Sequence, residues 1–173
     1  MVFLLLGSQV EMYRTIEQLR EYSGLIDRPV PVAFTRSGER PSGVGLPAEL
    51  DAAAQALVLL LSDKCATCRS IVASLDGAVP RDVVLVIEAE DPDQSAGLTM
   101  SYDLDPTRTI IDSTRHIGDA LGINTTPVAI VVEEGRFTRA TTVPSSRQLY
   151  ALLESLRANR TIEVGGPSSL EVK

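Results

Sequence analysis

The chain has 173 residues, enough for one domain with a proper core and too few to make two domains the expectation. Hydrophobic residues make up 44% and the aromatics are three Phe and four Tyr with no Trp, so the composition is globular and the core must be built from Leu, Val, Ile and Ala. Sixteen Lys and Arg against 23 Asp and Glu leave a charge of −7, which argues against nucleic acid as a partner, and no run approaches the roughly 20 apolar residues of a membrane span.

Residues 1–6 (Met-Val-Phe-Leu-Leu-Leu) are wholly apolar, without the basic start or small-residue cleavage site of a signal peptide. Residues 10–22 read as a helix with Met12, Ile16 and Leu19 on one face. Residues 1–25 therefore form an N-terminal helical extension, which either docks on the domain or is what remains of a membrane anchor. Residues 26–34 alternate Val30, Val32 and Phe34 between Pro29 and Pro31, which predicts a strand confined to a sheet edge. Residues 35–47, rich in Gly and Pro, are the long loop.

The middle is more regular. Residues 56–61 (Ala-Leu-Val-Leu-Leu-Leu) are a continuous apolar run of strand length, the pattern of a strand buried on both faces. Cys65-Ala66-Thr67-Cys68 follows at once and leads into a helix over 69–75, with Ile71, Val72 and Leu75 at helical spacing and Gly77 and Pro80 closing it. Residues 82–87 supply a second buried strand, so the three elements predict a parallel βαβ unit.

Residues 91–108 are broken by Pro92, Gly97 and Pro106 and carry no clear element beyond room for a short helix. Asp112 or Ser113 can cap a helix running to Leu121, with Gly122 as its C′ residue. Thr126-Pro127 precedes a strand over 128–132, a Glu133-Glu134-Gly135 turn and a returning strand over 136–142. Ser145 or Ser146 then caps a helix whose Leu149, Leu152, Leu153 and Leu156 form one apolar face. The domain is expected over 26–160, with 161–173 as a flexible tail.

This order, with Cys65-Ala66-Thr67-Cys68 after a buried strand and residues 122–135 (Gly-Ile-Asn-Thr-Thr-Pro-Val-Ala-Ile-Val-Val-Glu-Glu-Gly) ahead of the last helix, resembles the thioredoxin superfamily. Within it the chain looks most like the TlpA and ResA type and the methylamine-utilisation accessory proteins. The resemblance implies a thioredoxin-like three-layer α/β/α sandwich around a central mixed sheet. It also implies a cis Pro127 facing the thiols, with Thr126, Pro127, Ala66 and Thr67 on the client-binding surface. Thioredoxins proper carry an aromatic before the first Cys and a buried Asp on the preceding strand, where this chain has Lys64 and Leu59. The proton acceptor for the second thiol is then missing or supplied elsewhere, with Glu88, Glu90 and Asp63 as candidates, and a dedicated client is favoured over a general thioredoxin role.

The chemistry follows from the residues themselves. Two cysteines three apart at a helix start can close a disulfide, and the first lies against the N–H groups and positive end of the helix, where its thiolate is favoured. Cys65 is therefore the expected nucleophile and Cys68, one turn in, the resolving thiol. The implied partners are a protein thiol or disulfide client and an upstream redox partner; no cofactor is expected. No metal is expected either, because a zinc site needs four ligands and the chain offers two Cys and His116 alone. Two other functions stay open. A peroxide-reducing enzyme of this fold would use Ser62 for the usual Thr three residues before Cys65, and a binding module would keep the fold with incidental thiols. The apolar start tilts the expected location towards an extracytoplasmic or membrane-anchored domain, with a cytoplasmic one as the alternative.

Overall fold

In the computed structural model, residues 28–89 and 99–164 are described, the side chains of 159–164 excepted. The predicted N-terminal helix, Glu90, residues 91–98 and the predicted tail from Gly165 onward lie outside the described residues, while 161–164, the first part of the tail predicted over 161–173, continue the last helix instead.

A six-stranded mixed sheet runs through the domain in the order β1-β6-β5-β2-β3-β4. Its centre is β2 (Gln55–Ser62), where the apolar run places Ala56 to Leu61 at 3% exposure or less. Burying each of those leucines contributes about 1.5–3 kcal/mol. It pairs in parallel with β3 (Val83–Glu88), Leu57 opposite Val83 and Ser62 opposite Glu88, as the βαβ reading requires. On its other side it meets β5 (Val128–Glu133) in antiparallel register. β5 turns through Glu134 and Gly135, both at positive φ, into β6 (Arg136–Thr142). Two successive left-handed residues match the twist of a tight hairpin.

Both sheet edges depart from expectation. Strand β1 is only Pro31–Val32, paired antiparallel to Thr141 and Ala140, shorter than the predicted 26–34. Prolines at 29 and 31 have no N–H to donate, which curtails the ladder. The opposite edge is β4 (Thr109–Asp112), a parallel neighbour of β3 absent from the sequence reading. Four residues beside an irregular stretch are too few to show a periodicity. Two 3-10 turns, Pro41–Val44 within the predicted loop and Ala48–Ala52 just after it, shape this stretch, and the buried Val44, Leu46 and Leu50 anchor it to the domain.

Helices cover both faces. On one lie α1 (Ala66–Leu75) and α3 (Ser146–Val164), whose Ile71, Val72, Leu75, Leu149, Leu153 and Leu156 pack with Leu57, Leu59, Leu61, Leu85 and Ile87. The other face carries α2 (His116–Leu121) and the 3-10 turns, with Ile117, Leu121, Val44 and Leu50 against Val58, Leu60, Val84 and Val86. The central strands β2, β3 and β5 thus feed alternate residues to two cores. The caps follow the polar residues. Ser145 Oγ accepts the Gln148 N–H at 3.4 Å, and Asp112 accepts the His116 and Ile117 N–H groups at 2.9 and 2.7 Å. α2 therefore begins at His116, later than the predicted start, and ends on Gly122 at φ 69° as expected.

Candidate functional site

The site lies where β2 ends. Ser62 Oγ accepts the Lys64 N–H at 3.3 Å, the Cys65 N–H reaches Ser62 O at 3.3 Å, and Arg69 donates to Asp63 O at 2.8 Å. These bonds close the turn that delivers Cys65 to the N-cap of α1. Cys65 Sγ accepts the Cys68 N–H at 3.1 Å, so the sulfur takes the place a serine or aspartate oxygen usually fills at a helix start. Both cysteines are free thiols, Cys65 half-buried and Cys68 buried at 1% exposure. Ala66 is exposed and Thr67 half-buried on the first turn of α1.

The other half of the site comes from the far side of the sheet sequence. The Thr126–Pro127 peptide bond is cis, and the Cys65 thiol meets Thr126 O at 3.9 Å. The fold thus brings Cys65, Cys68, Thr126 and Pro127 together at the C-terminal end of β2 and the start of β5.

The two sulfurs differ in environment. Burial among Leu57, Leu59, Leu61 and Ile71 pushes the Cys68 thiol up to about 12. A hydrogen bond with Cys65 and that neighbour's charge push the same way, while the Ser62 main chain and the Thr126 hydroxyl pull against them. The hydroxyl of Thr126 thus bears on Cys68 as well, beyond the place on the client-binding surface expected of this residue.

The three candidate proton acceptors fare differently. Leu59, at the position where thioredoxins carry an acid, is fully buried in the cluster that holds Cys68. Glu88 is buried at the end of β3 but alternates with Leu85 and Ile87, so its side chain enters the opposite core. There it pairs with Arg115 at 3.2 Å, on the opposite face of the sheet from the Cys68 side chain. Burial holds its carboxyl above the usual range, opposed by Arg115. Asp63 lies half-buried in the turn beside the thiols, and Glu90 is outside the described residues. His116 is exposed at the start of α2, and no three of His, Cys, Asp and Glu gather as a metal site among the described residues.

No protein-family model and no curated protein matches the chain. Solved structures do. A secreted Mycobacterium tuberculosis disulfide oxidoreductase homologous to E. coli DsbE superposes with a TM-score of 0.51 at 18% identity, over 69% of this chain and 95% of that one. A DsbF homologue from Corynebacterium diphtheriae gives 0.46 at 16% identity over 74% and 92%. A thiol:disulfide interchange protein of the thioredoxin family from Chlorobium tepidum gives 0.47 at 15% over 75% and 97%. The first of these superpositions, together with the strand order, defines the class: the chain has the thioredoxin fold.

Proposed function

We propose that the protein is a thiol-disulfide oxidoreductase that exchanges its Cys65–Cys68 dithiol or disulfide with a protein client. The observation that carries this reading is the asymmetry of the pair. Cys65 is half-exposed and holds an N–H of the helix start on its sulfur, while Cys68 is buried and kept protonated three residues on. In the reducing direction the Cys65 thiolate attacks a client disulfide, forming a mixed disulfide and expelling one client thiolate. Cys68 then attacks Cys65 Sγ, the second client sulfur leaves as a thiolate and takes up the proton that Cys68 releases, and the intramolecular disulfide closes. Two electrons pass to the client, and the reverse sequence oxidises it. The potentials of client and upstream partner set the direction.

In this reading Cys65 is the nucleophile, Cys68 the resolving thiol, and Ala66, Thr67, Thr126 and Pro127 the surface the client meets. The Thr126 carbonyl, 3.9 Å from Cys65 Sγ, is placed to accept a client N–H beside the reacting sulfur. The reading sets the domain outside the cytoplasm, in line with the secreted protein it resembles in fold. A phosphatase fusion to the full chain, active only when exported, checks that location.

The test of the reaction is a titration across a dithiothreitol series, read as mass shift after alkylation of the remaining thiols. Expected is one reversible two-thiol transition that Cys65→Ser and Cys68→Ser each abolish, with Cys68→Ser trapping a mixed disulfide with a client. If no intramolecular disulfide forms at any poise, the proposal falls and a binding role remains.

A further inference from the structure

We propose that Glu88 is a positioning residue for the client-facing half of the site, tying the turn that carries Cys65 to the helix that leads into Thr126. The inference rests on the oxidoreductase reading for its consequence and on separate geometry for its mechanism.

Glu88 makes contact in two directions. Its main-chain oxygen accepts the Asp63 N–H at 3.1 Å, two residues before Cys65, and so holds the cysteine turn. Its side chain crosses to α2, where Oε2 pairs with Arg115 Nε at 3.2 Å and Oε1 lies against Gly118. Arg115 is at φ 55°, a left-handed conformation that costs a non-glycine residue about 1 kcal/mol or more and that neighbouring contacts must hold. Any Cβ at 118 would run into Glu88 Oε1, so glycine is what lets the carboxyl reach the helix.

Gly118 in turn reaches the loop. Its carbonyl accepts the Ile123 N–H at 2.9 Å, fixing the first residues of the segment that ends at Thr126–Pro127. Asp112, opposite Glu88 in the β3–β4 register, holds the first two N–H groups of α2. Thr35 and Arg36 fasten the far end of the helix through the carbonyls of Ala120 and Leu121. Of these contacts, only those of Glu88 reach both the cysteine turn and the helix. Its carboxyl carries no part of the exchange itself, since it stands on the opposite side of the sheet from Cys68.

The expected result is a split between client recognition and thiol chemistry. Glu88→Ala raises KM for a protein disulfide, with insulin as the probe, about tenfold, as loosened positioning does. It leaves the rate with hydroxyethyl disulfide and the dithiothreitol titration within twofold of wild type. Glu88→Gln, which keeps the length and an oxygen for Arg115, restores the wild-type KM. Gly118→Ala reproduces the defect, and joining it to Glu88→Ala adds little, because the clash is gone.

Amide hydrogen exchange reads the same coupling without turnover: Glu88→Ala loses protection at 116–126 and keeps it at 66–75. Unchanged protection at 116–126, or equal loss of rate with both disulfides, overturns the inference. A wild-type protein that reduces neither probe and forms no disulfide refutes the oxidoreductase reading instead, and the exchange data then decide the Glu88 coupling by themselves.

Discussion

The strongest consequence of the site geometry is a large difference in reactivity between two sulfurs three residues apart. Burial holds the Cys68 thiol up at about 12, so at neutral pH its thiolate is far scarcer than that of an ordinary cysteine. It is also 1% exposed, so its low reactivity has a steric as well as an electrostatic cause. Reduced protein treated with a limiting pulse of iodoacetamide at pH 7 should therefore gain one adduct, at Cys65, before any appears at Cys68. With Cys65→Ala in place, two of the causes that raise Cys68 disappear, the hydrogen bond and the neighbouring charge, while burial, the largest, remains. The rate at Cys68 in that variant should still lie well below that of a free thiol at pH 7 and climb about tenfold per pH unit beyond pH 9. Peptide mapping of the alkylated protein across pH gives both rates. Equal labelling of the two cysteines at pH 7, or a Cys68 profile that levels off near pH 8, would refute the account of burial on which the assignment of roles depends.

Other expectations are structural. Gly135→Ala should cost more than about 2 kcal/mol and lower the melting temperature by about 5 °C or more in calorimetry, because a Cβ there meets the Asp51 backbone and φ is 69°. Phe137→Ala should cost about 3–5 kcal/mol in denaturant titrations, since the ring is fully buried and packs edge-on against Phe34 at 6.2 Å. Asp112→Ala leaves two N–H groups at the start of α2 without their acceptor and should cost about 1–2 kcal/mol, with lost amide protection at Ile117. For Glu88 the folded carboxyl titrates above its usual 4.5, so the native state holds the proton longer than the unfolded chain does. Stability should thus fall as pH rises from about 4.5 through the folded value, and Glu88→Gln should remove that slope; parallel urea midpoints for the two proteins from pH 4 to 8 would contradict it.

What the sequence made legible follows from how many neighbours each signal needs. Strand β2 could be read from residues 56–61 because burial on both faces writes itself as an unbroken apolar run. The β5–β6 hairpin could be read because Gly135, free to take positive φ, stands in a short polar turn between two strand-like runs. The cysteines could be read from their own spacing at a helix start, whereas Thr126-Pro127 was set opposite them only by the resemblance to a known fold, since nothing local says which thiol a loop 58 residues on will meet. Strand β4 was missed because its four residues make sense only beside β3, a long-range pairing that leaves no periodicity behind. Glu88 shows the same limit at the site. A lone acid after an apolar strand suggests a proton acceptor for the nearest thiol, yet which face it enters is set by register: Leu85 and Ile87 fill the core beneath Cys68, and the next residue must therefore turn away. That single step of alternation separates a residue placed to take a proton from one placed to hold a helix, and Gly118, unremarkable in sequence, is what gives the turned-away carboxyl somewhere to go.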